Sequence, residues 1–159
     1  MKSEFLDRFR GEQVGWKGGR AVWMTLAPLR YRSERLGVEI VVPAEFITDL
    51  ASVPRAPLAF WIAGGRGTRS AVIHDFPYQF GYWITADGDR RHVSRDDTDA
   101  VFLESLRADP ISGAGSLVAR IMYRGVRWGG RGHWGDEGRR AATLNPIWTA
   151  LGGPEVPAL

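Results

Sequence analysis

The hydrophobic period of this chain changes near Asp49. Before it, β-branched and aromatic residues recur at alternate positions, the period of a half-buried strand. Val22, Met24 and Leu26 alternate with Trp23 and Thr25 over residues 20–27, and shorter extended runs occupy 29–33, 38–42 and 46–48. Gly18-Gly19, Ala27-Pro28 and residues 34–37 supply turns between them. After Asp49 the period becomes helical. Ser52 and the prolines that follow it suit the first turn of a short helix. Residues 68 to about 76 form the next helix and end before Pro77, and residues 113–127 form a last one with Leu117, Val118, Ile121, Met122 and Val126 inward. The clearest helix is 94–107: Ser94 and Asp97 form a capping-box-like pair, acids crowd the first turn and Arg107 closes the last. Strands followed by helices predict an α+β fold, a short antiparallel sheet in the N-terminal half packed against three or four helices.

With 159 residues the chain is one domain in length. Residues 1–128 are read as that domain. Residues 129–159, rich in Gly, Pro and Arg with isolated Trp134, Ile147 and Trp148, are read as a segment that docks on the domain or on a partner. The chain has no cysteine, which excludes a disulfide framework, a thiolate nucleophile and Cys-based zinc or iron–sulfur sites. Residues 1–15 hold no apolar run of signal-peptide length, and the longest apolar stretch, 56–63, contains Pro57 and is far short of the roughly 20 residues of a membrane span. The formal net charge is only +3, yet 19 of the 21 basic residues are Arg and there are 7 Trp. Guanidinium and indole side chains are what contact surfaces use.

The densest polar cluster gathers Asp49, Ser52 and Arg55, then His74, Asp75 and Tyr78. In one reading it is architecture: Asp49 and Ser52 accept backbone N–H bonds at a strand-to-helix turn, and Arg55 neutralises a buried carboxylate. In the other, Asp49 orients His74 and leaves the second imidazole nitrogen free as base or ligand. His74, Asp75 and Asp49, with Asp99, offer a set for a hard divalent cation. No histidine precedes His74, and His92 and His133 fall in predicted loops, so the usual histidine-rich pattern is missing. Ser52 has no G-x-S-x-G elbow around it.

Four blocks in order, VPAEFITDLASVPR (42–55), AVIHDFPY (71–78), SRDDTDAVFLESLR (94–107) and ARIMYRGVRWGG (119–130), resemble the phage and prophage family called domain of unknown function 1353. Asp49, Ser52, Pro54, Arg55, His74, Asp75, Tyr78, Asp99, Phe102 and Tyr123 fall on its pattern, and Asp97 departs from it. The resemblance implies a phage-encoded protein and leaves enzyme and structural part both open. Taken with the incomplete catalytic inventory, it predicts a virion component of the tail or tail connection. Such a protein would be made in the host cytoplasm, carry no cofactor, and contact other phage structural proteins or itself through Arg124, Arg127, Trp128, Arg131, Trp134 and Trp148. The competing expectations are a metal-dependent hydrolase of cell wall or phosphoester centred on Asp49, His74 and Asp75, and a nucleic-acid binder. The latter would use Arg120, Arg124, Arg127, Arg131, Arg139 and Arg140 interleaved with Tyr123, Trp128 and Trp134.

Overall fold

A computed structural model describes residues 1–17, 19–50, 67–110 and 116–129. The elements are β1 (Glu4–Phe5), β2 (Gly11–Lys17), β3 (Arg20–Thr25), β4 (Leu29–Ser33), β5 (Val38–Val42), β6 (Ile47–Thr48), α1 (Thr68–Phe80), β7 (Tyr82–Thr85), β8 (Arg90–His92), α2 (Arg95–Ala108) and α3 (Ser116–Gly129). The fold is α+β. Five strands form one antiparallel sheet in the order β1-β4-β5-β7-β8, and β2-β3-β6 form a second. The expected strands at 20–27, 29–33, 38–42 and 46–48 correspond to β3 to β6. Four more strands, β1, β2, β7 and β8, were not expected. In β2 a bulge between Gln13 and Gly15 interrupts the register. In β8 all three residues, Arg90, Arg91 and His92, are exposed, as suits a charged sheet edge. The expected helix opening at Ser52 and the segment from 130 onward lie outside the described residues.

The centre of the molecule is α1, buried along Arg69–Gln79. Val72, Ile73 and Phe76 pack with Leu29, Tyr31, Ile40 and Val42 of the sheet and with Trp83 and Val101. A second cluster, Phe102 and Leu106 with Ala119, Met122 and Val126, joins α2 to α3. A Cβ at Gly67, just before α1, would lie 2.9 Å from Met122 Cε and 3.0 Å from Leu106 Cδ2, and its φ of +85° is left-handed. Glycine therefore lets the start of α1 sit against the α2–α3 contact. That contact sets the inward face of α3 as Ala119, Met122 and Val126. Leu117 and Ile121, expected inward, are exposed instead.

The expected break at Pro77 does not occur: α1 continues to Phe80 and closes on Gly81, whose N–H donates to the Pro77 carbonyl at 2.7 Å. A proline inside a helix deprives the carbonyl four residues earlier, here Ile73, of its N–H donor. The buried Trp83 indole supplies the replacement, Nε1 donating to the Ile73 oxygen at 3.0 Å. Trp83→Phe is therefore expected to cost about 1–3 kcal/mol by orphaning that carbonyl. In a Pro77→Ala background, where the backbone N–H is restored, the cost should be smaller. Equal costs in a denaturant double-mutant cycle would refute the substitution of one donor for the other.

Candidate functional site

His74 and Tyr78 are four residues apart on α1, so both side chains reach the same side of the helix. What they meet is Asp99 on α2. His74 Nε2 lies 2.8 Å from Asp99 Oδ1, and the Tyr78 hydroxyl donates to the same oxygen at 2.8 Å. The other oxygen, Oδ2, accepts from Arg127 of α3 at 3.1 Å and lies 3.6 Å from Arg95 Nε. Arg95 also donates to the Tyr78 oxygen at 3.3 Å and to the Arg127 carbonyl at 2.6 Å, while Arg127 bonds Asp96 as well. One carboxylate thus ties three helices together. Its placement follows from the local sequence: Ser94 caps α2 by accepting from Asp97 N–H at 3.1 Å, and Arg95 and Asp99 then fall at i and i+4.

On the opposite side of the imidazole, Nδ1 lies 3.9 Å from Asp75 Oδ1. Asp75 is held by Thr48, whose hydroxyl donates to Oδ2 at 2.5 Å and accepts from the Leu50 N–H at 3.0 Å. Leu50 sits at φ +50°, a left-handed conformation that a leucine rarely adopts, so this turn is strained. The His74 ring is further packed between Tyr78 and Phe102, with centroids at 4.3 and 4.8 Å. His74 is 2% exposed and Asp99 0%.

Of the residues singled out in the sequence, the structure brings together His74, Asp75, Tyr78 and Asp99. The carboxylate bonded to His74 is Asp99 rather than Asp49, which is half-buried beside Thr48. Ser52, Arg55, Arg131, Trp134 and Trp148 lie outside the described residues. Arg124 and Trp128 are exposed, but Arg127, expected at a partner surface, turns inward to Asp96 and Asp99. Arg95 and Asp96 belong to the network without having been expected in it. The i,i+4 spacings of His74 with Tyr78 and of Arg95 with Asp99 were the available signals. Among the described residues no three His, Asp or Glu side chains converge as a metal-ligand group. His74, Asp75 and Asp49 therefore make no such group by themselves.

The electrostatics fit a network that is settled in its ground state. Burial alone would raise the Asp99 pKa, but the hydrogen bond and charge of His74, with Tyr78 and Arg127, outweigh it and hold the carboxyl below the ordinary 3.8. Burial, followed by the bond to Asp99, pushes the Tyr78 hydroxyl well above its ordinary 10.0. Tyr31 is raised likewise by burial and by Glu104, to which its hydroxyl donates at 2.9 Å. A depressed Asp99 binds fewer protons folded than unfolded, so its stabilisation is present above the unfolded value near 3.8 and is lost as pH falls through the lower folded value. The tyrosines act in the opposite sense: their contribution is complete below 10.0 and is lost as pH rises beyond it. Stability measured by denaturant across pH should therefore fall at both ends. In the alkaline limb the phenolate absorbance of two tyrosines should appear only with unfolding. Ordinary titration of all four tyrosines in the folded protein would contradict this.

The family model described as Protein of unknown function (DUF1353) matches residues 23–126. The chain belongs to that family. No curated protein and no solved structure matches the chain. The DUF1353 span runs from β3 to near the end of α3 and holds Thr48, His74, Asp75, Tyr78, Arg95, Asp96 and Asp99. Arg127 stands one residue beyond it, and β1 and β2 precede it.

Proposed function

We propose that this DUF1353 protein is a non-enzymatic component of a bacteriophage particle, in the tail or its connection, that acts by contact with other phage structural proteins. The observation that carries the reading is the closure of the His74–Asp99 network. A general base must come within about 2.6–3.2 Å of the proton it takes. His74 offers Nε2 to Asp99, faces Asp75 with Nδ1 and is 2% exposed, and Asp99 has donors on both oxygens. Such an arrangement supports a scaffold that fixes α1, α2 and α3 rather than a reacting centre. The phage setting that the resemblance implies, and an Arg- and Trp-rich composition suited to contact surfaces, support the rest. Mass spectrometry of particles purified from the phage or induced prophage that encodes the chain tests this. The chain is expected in the particles at a fixed ratio to other structural proteins. Its recovery only as free monomer in the lysate, with none in particles, would sink the proposal.

A further inference from the structure

Helix α3 is apolar on two opposite faces. Ala119, Met122 and Val126 are buried against α2, whereas Leu117, Ile121 and Trp128 are 70%, 36% and 84% exposed. At 3.6 residues per turn, Leu117, Ile121, Arg124 and Trp128 fall within roughly 60° of one another, in a stripe about 16 Å long on the side away from the core. A helix with apolar residues on both sides is one that a second surface covers. The charge of the helix says what kind of surface. Residues 116–129 contain no acid, and of their three cations Arg127 is taken by Asp96 and Asp99. Arg120 and Arg124, both exposed, pair with no acid among the described residues. A second copy of this helix would set Arg against Arg across the contact, which disfavours self-pairing. An apolar stripe flanked by carboxylates would instead meet both the leucine, isoleucine and tryptophan and the two exposed guanidinium groups.

We infer that the outer face of α3 is a docking strip for an amphipathic helical segment of another protein, apolar along one side and acidic at its flanks. This deepens the contact-protein reading and rests on it, naming the partner's chemistry and the residues that receive it. The test uses the purified full chain and three synthetic peptides of about 18 residues, enough for about five helical turns. One carries a Leu/Ile stripe flanked by Glu, its twin carries the same stripe flanked by Lys, and the third scrambles the Glu peptide so that no stripe remains. The Glu-flanked stripe should bind at least about tenfold more tightly than either control, and the advantage over the Lys twin should shrink with salt. Trp128→Ala and Ile121→Asp should each weaken it by about tenfold or more, the loss expected at an interface anchor. Both positions are exposed, so circular dichroism should show an unchanged fold. Trp16→Ala, at the exposed tryptophan on β2, should leave binding unchanged. Equal binding of the three peptides, insensitivity to Trp128→Ala and Ile121→Asp, or a self-associating chain whose dimer those two variants dissolve would each overturn the inference. Because it is done in vitro, failure here is separate from absence of the chain from particles, which would strike the parent reading.

Discussion

Replacing Asp99 by alanine is expected to lower the folding free energy by about 3–5 kcal/mol, the usual loss when one partner is taken from a buried ionic network. The size follows from what the carboxylate leaves behind. His74 and Tyr78, both buried, lose the acceptor they share, and Arg127 and Arg95 lose the charge that draws α3 and the start of α2 together. Asp96 is the control within the same network. It bonds Arg127 but its side chain is 80% exposed, so Asp96→Ala should cost under about 1 kcal/mol. Urea unfolding of the three proteins separates the cases: similar small losses for both variants would mean that Asp99 is not the hub described. Loss of α3 protection in hydrogen exchange should accompany Asp99→Ala before the sheet opens, because α3 is joined to α2 by these bonds and by one small apolar cluster.

A comparable loss, again about 3–5 kcal/mol, is expected for Arg69→Met. Arg69 is buried at the start of α1, where its guanidinium bonds the buried Asp109 at the end of α2 and donates to the Asp7 carbonyl at 3.0 Å. It also lies 4.4 Å over the Phe5 ring. The N-terminal arm depends on it further out, since Asp7 is in turn bound by Arg30 through paired bonds of 2.9 and 3.0 Å. Arg69→Met should therefore expose β1 to exchange as well as lower the midpoint. Pairing it with Asp109→Leu, which removes the buried carboxylate that Arg69 faces, should recover part of the stability. If the double variant is less stable than Arg69→Met, the loss belongs to Asp109's other bonds and the pairing argument is wrong.

These two networks show how far the chain was readable before its structure. Helix α2 was legible because its start is written locally, in Ser94 and Asp97, and the structure has the cap. His74, Asp75 and Tyr78 were legible as a group because they share one helix. The partner of His74 was not: Asp49 and Asp99 are both acids within reach in sequence terms, and only the packing of α2 on α1 selects Asp99. Arg127 was read with Arg120 and Arg124 as one outer face. Its position on the wheel is about 60° from Arg124, which is enough to turn it toward α2. The stop at Pro77 was a sound local rule, overridden by an indole from a strand six residues later. Strands β1 and β8 were illegible because two or three residues with mostly exposed side chains carry no period. The ion pair of Arg69 with Asp109 spans two elements and left no trace in sequence spacing.

The proposed structural role of His74 is separated from a chemical one by His74→Gln. A glutamine amide keeps an N–H donor for Asp99 but has no imidazole to move a proton or hold a metal. The measurement is the infectious yield and composition of particles made with the variant as the sole source of the chain, alongside its denaturant stability. A stability loss within about 0.5–3 kcal/mol, normal incorporation and normal infectivity are predicted. A variant that folds and incorporates normally yet abolishes infectivity would contradict the account and return the imidazole to the chemistry.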